Sequence, residues 1–195
     1  MEPIILASTS PRRQEILKSL GIPFSVMTPS YTEEPVPGLS AHELAELHSM
    51  NKVESVIRMK LSISVPWVLG ADTVIFDGQK ILGKPAHRED AQSMLESFSG
   101  KKHEVITAIS LYDSHTNFTT TKTCTSSVEF MPLDHNQIES YLDTGEWQGA
   151  AGGYRIQGLA SFFISRIEGS WSGIVGLPIH DLYVILREHG YRFGE

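Results

Sequence analysis

Apolar and polar positions alternate along the chain in a way that predicts strands and helices in turn from end to end. Ile4-Ile5-Leu6-Ala7 is a continuous apolar run of the kind a buried strand shows, and Gln14 to Leu20 follows as a helix stopped by Gly21. Ser10 is placed as its N-cap and Pro11 as its first residue, where a helix tolerates a missing N–H. Phe24-Ser25-Val26 predicts a second strand. An acidic loop with prolines, Glu33-Glu34-Pro35-Val36-Pro37-Gly38, separates it from a helix that opens on the capping box Ser40-Ala41-His42-Glu43 and runs to about Lys60. Pro66 to Ala71 predicts a strand leading into Asp72-Thr73-Val74-Ile75. Asp77-Gly78 marks a hairpin turn, and Arg88 to Phe98 a helix with Gly100 as its stop.

The middle of the chain turns β-rich, with His103 to Tyr112 and Thr119 to Phe130 predicted as two long strands joined through Ser114-His115-Thr116-Asn117. Asp134-His135-Asn136-Gln137 caps another helix, which stops at Gly145. A glycine-rich loop, Gly149 to Gly153, leads into Tyr154-Arg155-Ile156-Gln157-Gly158. Two further strand-like runs end near Ile167, and Ile179 to His189 is a last helix closed by Gly190. This alternation predicts an α/β fold, and 195 residues suffice for one domain, or one domain with two lobes around a cleft.

Composition changes the picture in three ways. The net charge of −7 argues against general nucleic-acid binding, so any anionic ligand requires a local concentration of positive charge. Cys124 stands alone, which leaves neither a disulfide framework nor a thiolate metal cluster, and its Thr and Ser neighbours suggest a packed strand position. No basic leader precedes a long apolar run and no 18 consecutive residues are apolar, so a soluble, cytoplasmic protein without a membrane segment is expected.

Candidate chemistry begins at Ser8-Thr9-Ser10-Pro11-Arg12-Arg13. Two arginines occupy a first helical turn, where the helix dipole favours acids. Either this is a solvent-exposed basic helix start, or the hydroxyls, free amides and guanidinium groups hold a phosphate. Asp72 is either a turn former or a functional carboxylate at the carboxyl end of a sheet strand, where α/β folds place ligands. Lys84, held in Gly83-Lys84-Pro85, and likewise Glu33, Glu34 and Lys52, are equally readable as solvated charges. The eight histidines include no His-x-x-x-His pair in a helix, so zinc is unsupported. Carboxylates with phosphates suit magnesium or manganese instead. Neither a Walker loop nor a dinucleotide fingerprint is present. As an inventory, Arg12, Arg13, Lys52 and Lys84 can neutralise a polyphosphate, Glu33 and Asp72 can bind a divalent ion or position a water, and Gln157 can read a base edge.

These segments, with Ser99-Gly100-x-x-His103-x-Val105-x-Thr107, Thr144-Gly145-Glu146, Ile167-Glu168-Gly169-Ser170 and Val175-Gly176-Leu177-Pro178, occur in an order that resembles the Maf family over nearly the whole chain. The resemblance implies a fold similar to that of inosine-triphosphatase-like enzymes, with an elongated mixed sheet flanked by helices. It implies hydrolysis of a nucleoside triphosphate between the α- and β-phosphates, with Asp72 as proton acceptor; joined to the inventory, it makes Ser8, Ser10, Arg12, Arg13, Lys52, Thr73, Lys84 and Gln157 the substrate-binding candidates. Arg12, Thr73 and Gln157 match the positions associated with base choice. Ile156-Gln157-Gly158 looks like the branch acting on dTTP and UTP, and Mg²⁺ or Mn²⁺, a homodimer and a cytoplasmic location are implied with it. The alternatives are the same chemistry on 7-methyl-GTP and a nucleotide sensor linked to cell division that does not turn it over. One departure stands out: where this branch often carries Asp-Lys-Ala-Gly before the tyrosine, the chain reads Gly149-Ala150-Ala151-Gly152-Gly153, and Arg155 is the candidate for a compensating positive charge.

Overall fold

The structure, a computed structural model, describes residues 1–59 and 65–194. Its strands are β1 Ile4–Ala7, β2 Phe24–Val26, β3 Trp67–Phe76, β4 Ile81–Leu82, β5 Lys102–Asp113, β6 Phe118–Phe130 and β7 Ile164–Glu168. Helices α1 Pro11–Ser19, α2 Ala41–Arg58, α3 Arg88–Phe98, α4 His135–Asp143, α5 Trp171–Val175 and α6 Ile179–Glu188 surround them. The strands form one mixed sheet of seven, in the order β2-β1-β3-β5-β6-β7, with β4 paired to β3. β1 runs parallel to both β2 and β3, through crossovers that carry α1 and α2. The remaining pairs are antiparallel.

The two largest of four hydrophobic clusters among the described residues lie along the long strands. One gathers Leu6, Leu17, Leu69, Ile109 and Leu186 beneath α1 and α6. The other gathers Ile75, Leu95, Phe98, Val105, Phe130 and Leu142 beneath α3 and α4. β3 and β5 pass through both, so the two lobes are bound by a continuous antiparallel ladder rather than by a hinge. α2 lies close against β3 at Gly70, where a Cβ would collide with the Ser49 carbonyl and fall 2.7 Å from Val53 Cγ2. Only a residue without a side chain lets the helix sit this near the sheet.

The start and stop signals hold at most element ends. Ser40 with Glu43, and Asp134 with Gln137, form reciprocal capping boxes at α2 and α4. α2 ends at Arg58, and Lys60, the expected limit of that helix, lies outside the described residues. Two expectations are corrected and one element is new. Asp72 does not follow its strand but sits inside β3, because Thr73 to Phe76 continue in register with β5 from Thr107 back to Glu104. The parallel ladder with β1 does end nearby, at Ala7 opposite Gly70, so Asp72 lies just past the carboxyl end of β1. Of the two strand-like runs before Ile167, only β7 is a strand. Leu159–Phe163 is a 3-10 segment, whose first amide is drawn out of extended form by both oxygens of Glu146. α5, started by the Ser170 hydroxyl on the Gly173 amide, is too short for periodicity to reveal.

Candidate active site

A cavity of about 720 Å³ opens between the lobes, and all ten expected site residues line it: Ser8, Ser10, Arg12, Arg13, Glu33, Lys52, Asp72, Thr73, Lys84 and Gln157. Its central group is Asp72, only 4% exposed. Oδ1 accepts from Lys52 Nζ at 2.6 Å, while Oδ2 takes no hydrogen bond among the described residues. Lys52 also donates to the Ala71 carbonyl at 3.1 Å and pairs with Glu33 Oε1 at 2.5 Å. An ammonium has three protons, and here each has a partner within the protein. Lys52 therefore spaces and orients two carboxylates instead of standing free for a phosphate. The close approach at Gly70 makes this possible, since it brings α2 near enough for Lys52 to reach the strand.

Glu33 sits on the loop before α2, and its second oxygen lies 3.3 Å from Lys84 Nζ, whose side chain is half exposed. Burial alone would discourage ionisation of Glu33, but Lys52 and then Lys84 outweigh it and hold the carboxyl at about 2. Tyr31 fastens the same loop: its hydroxyl meets His48 Nδ1 at 2.7 Å and accepts from Asn51 Nδ2 at 3.1 Å, both on α2.

Arg13 departs from the role of a free phosphate ligand. It is buried, and its guanidinium donates to the Gly176 carbonyl at 2.8 Å, Ser8 Oγ at 3.0 Å and Thr73 Oγ1 at 3.2 Å. Thr73 in turn meets Thr107 Oγ1 at 2.9 Å, and Thr107 donates to the Gly173 carbonyl. Burial lowers the Arg13 pKa, and Asp72 and Glu33 favour its charge. The result is a buried strut between the β1–α1 turn, β3 and the α5 segment. At the start of α1, Ser10 adopts the extended N-cap conformation, yet its side chain makes no capping bond and no acid lies in the first turn. Its amide donates instead to Ser8 Oγ at 3.2 Å. The helix start thus offers open N–H groups to an anion, and the Arg12 guanidinium lines the same cavity.

The family model described as "Maf-like protein" matches residues 3–189. The chain belongs to the Maf family. A dTTP/UTP pyrophosphatase of Desulforamulus reducens is 43% identical over 190 residues, covering 97% of this chain and 98% of that one. Those of Treponema denticola and Pelotomaculum thermopropionicum are 41% and 39% identical over 201 and 191 residues, each covering 98% of this chain and 99% and 98% of their own. A solved structure of the Staphylococcus aureus Ham1 protein aligns at a TM-score of 0.45 and 16% identity, over 66% of this chain and 72% of that one. No helix among the described residues is long and apolar enough to cross a membrane.

In this Maf-family site the donor set bears on a metal ion. No cluster of three or more His, Cys, Asp or Glu side chains able to hold one exists among the described residues. Glu33 and Asp72, drawn together by Lys52, present two carboxylates with Asp72 Oδ2 open. That set fits a magnesium-type ion, which binds through one or two carboxylates and takes its remaining ligands from substrate phosphates and water. Sequence reasoning missed Tyr31, which no motif marks, and the apolar lining from Ile75, Val105, Ile174 and Val175, whose spacing signals only core packing.

Proposed function

We propose that this chain hydrolyses dTTP and UTP between the α- and β-phosphates, releasing the nucleoside monophosphate and pyrophosphate. The observation that carries this is Asp72: a buried carboxylate with one oxygen fixed by Lys52 and the other open to a cavity of nucleotide size. The names of the relatives, over nearly their full length, supply the substrate class. Phosphoryl chemistry asks the protein for placement and charge compensation. Asp72 Oδ2 accepts the proton of the water attacking the α-phosphorus. The open amides of α1, Ser8, Ser10 and Lys84 hold phosphate oxygens, and Arg13 keeps Ser8 and Thr73 in place. Arg12, Thr73 and Gln157 face the base. Magnesium or manganese held by Glu33 and Asp72 would supply neutralising charge and a more acidic bound water. On the same reading the chain works in the cytoplasm, as a homodimer.

The test is product analysis of purified protein with dTTP and Mg²⁺ or Mn²⁺, beside Asp72→Asn and metal-free controls. Monophosphate and pyrophosphate, lost in both controls, support the assignment. Inorganic phosphate as the product overturns it, and turnover confined to 7-methyl-GTP moves the substrate. Binding of dTTP without any product points to a sensor.

A further inference from the structure

The cavity's charges are matched among one group of residues and unmatched in another. Around Asp72, two lysines face two carboxylates. Arg12 and Arg155, which also line the cavity, make no such ion pairs, and the carboxylate that acts on Arg12 is Glu15. Neither makes an ion pair among the described residues, and the Arg155 side chain donates there only from Nη2, to the Gln148 carbonyl at 2.8 Å. Its Nε–H is buried with no acceptor among the described residues. Burial and then Arg155 lower the Arg12 pKa against the opposing pull of Glu15, whereas Asp72 and Glu33 act on Arg13. Arg155 is also firmly placed. Its backbone N–H donates to Tyr141 Oη at 3.3 Å, and Glu146 grips the Leu159 amide four residues on. Tyr154 and Ile156, its buried neighbours in sequence, contribute an apolar lining suited to a planar ring.

A buried donor left without an acceptor costs stability unless a ligand supplies one. A guanidinium only donates. We propose that Arg155, beside Arg12, is a base-specificity residue that donates to the keto oxygen at ring position 4 of uracil or thymine. Cytosine carries an amino group there, so donor would meet donor and both would stay unpaired. This rests on the pyrophosphatase reading and adds to it a reason for keto over amino pyrimidines. The ring is favoured over a phosphate as the acceptor because Arg155 shares its segment with the apolar lining, while Asp72, the group that faces the α-phosphate, carries the lysines.

The experiment compares wild type, Arg155→Ala and Arg155→Lys on UTP, dTTP, CTP and dCTP, and measures UMP, CMP and pyrophosphate binding by calorimetry. Wild type is expected to favour the keto bases. Arg155→Ala is expected to lower kcat/KM for UTP and dTTP about tenfold or more, CTP and dCTP far less, with lysine recovering part. UMP binding weakens in parallel, and CMP and pyrophosphate binding stay unchanged. A uniform loss across all four nucleotides with weaker pyrophosphate binding would make Arg155 a phosphate ligand and overturn the proposal, as would no change anywhere. If wild type releases no pyrophosphate from any nucleotide, the parent reading fails on its own. The UMP-against-CMP difference between wild type and Arg155→Ala then still decides the role of Arg155.

Discussion

Two aspartates lie almost fully buried on neighbouring strands, and they are put to opposite uses. Asp113, at the end of β5, is 2% exposed and has both oxygens occupied. Oδ1 accepts from the His115 amide and sits 3.1 Å from its ring. Oδ2 accepts from Thr116 and faces His189 at 3.5 Å. Burial opposes its charge, but these donors win and hold it below the usual carboxylate range. Asp72, at 4%, has one oxygen fixed and one open. Burial by itself therefore says little about function. The unfilled lone pairs, and the cavity in front of them, set the proposed proton acceptor apart from a loop clasp.

The sharpest contrast is expected in turnover. Asp72→Asn should lower kcat by ~10²–10⁴ while nucleotide still binds, as loss of a general base does. Asp113→Ala should leave kcat unchanged. Pyrophosphate release under saturating dTTP reads both, and near-normal turnover in Asp72→Asn would erase the distinction.

Next comes the clamp. Lys52→Ala strands a buried Asp72 charge and should cost ~3–5 kcal/mol of stability in urea unfolding. Adding Asp72→Asn should return part of it. If the double variant is no more stable than the single one, the Lys52–Asp72 pair is not what the lysine holds. Asp113→Ala should cost less, ~1–3 kcal/mol, the penalty for its orphaned donors.

The gentlest test is pH. His103 is buried, stacked on Phe98 at 4.0 Å and bonded to Tyr154 Oη, and burial pushes its pKa down to about 4 from 6.5. The unfolded chain therefore takes up that proton first, and stability falls as pH drops from 6.5 to about 4. His103→Gln should flatten this part of the profile. Glu33, with its carboxyl held at about 2 instead of 4.5, adds stability that is complete above 4.5 and lost as pH falls toward 2. Glu33→Gln should remove only that lower limb. A profile in which neither substitution changes its own window overturns these assignments.

Much of this was legible along the chain. The Ser10-Pro11 helix start, the two capping boxes and the glycine stops at Gly21, Gly100 and Gly190 are local, and local signals need no third dimension. The gathering of Ser8 through Gln157 was legible only as an inventory of chemical types. What stayed hidden depends on partners far away in sequence. Asp72 reads as the end of a strand because polar residues follow an apolar run, yet pairing with β5 carries β3 on through Phe76. Lys52 reads as a surface charge on a helix, and only the close approach at Gly70 turns it inward. Arg13 reads as a ligand for phosphate, and its role as a strut depends on a carbonyl 163 residues away.

That last separation has a consequence for synthesis. A ribosome delivers Arg13 well before Gly176, so while the intervening residues emerge the guanidinium lacks the carbonyl it docks on, 163 residues further along. A nascent chain can lay down β1, β3 and the lysine clamp, yet the Arg13 strut lacks its far anchor until the α5 segment arrives. The site is braced late, by a peptide oxygen that is not part of the cavity wall.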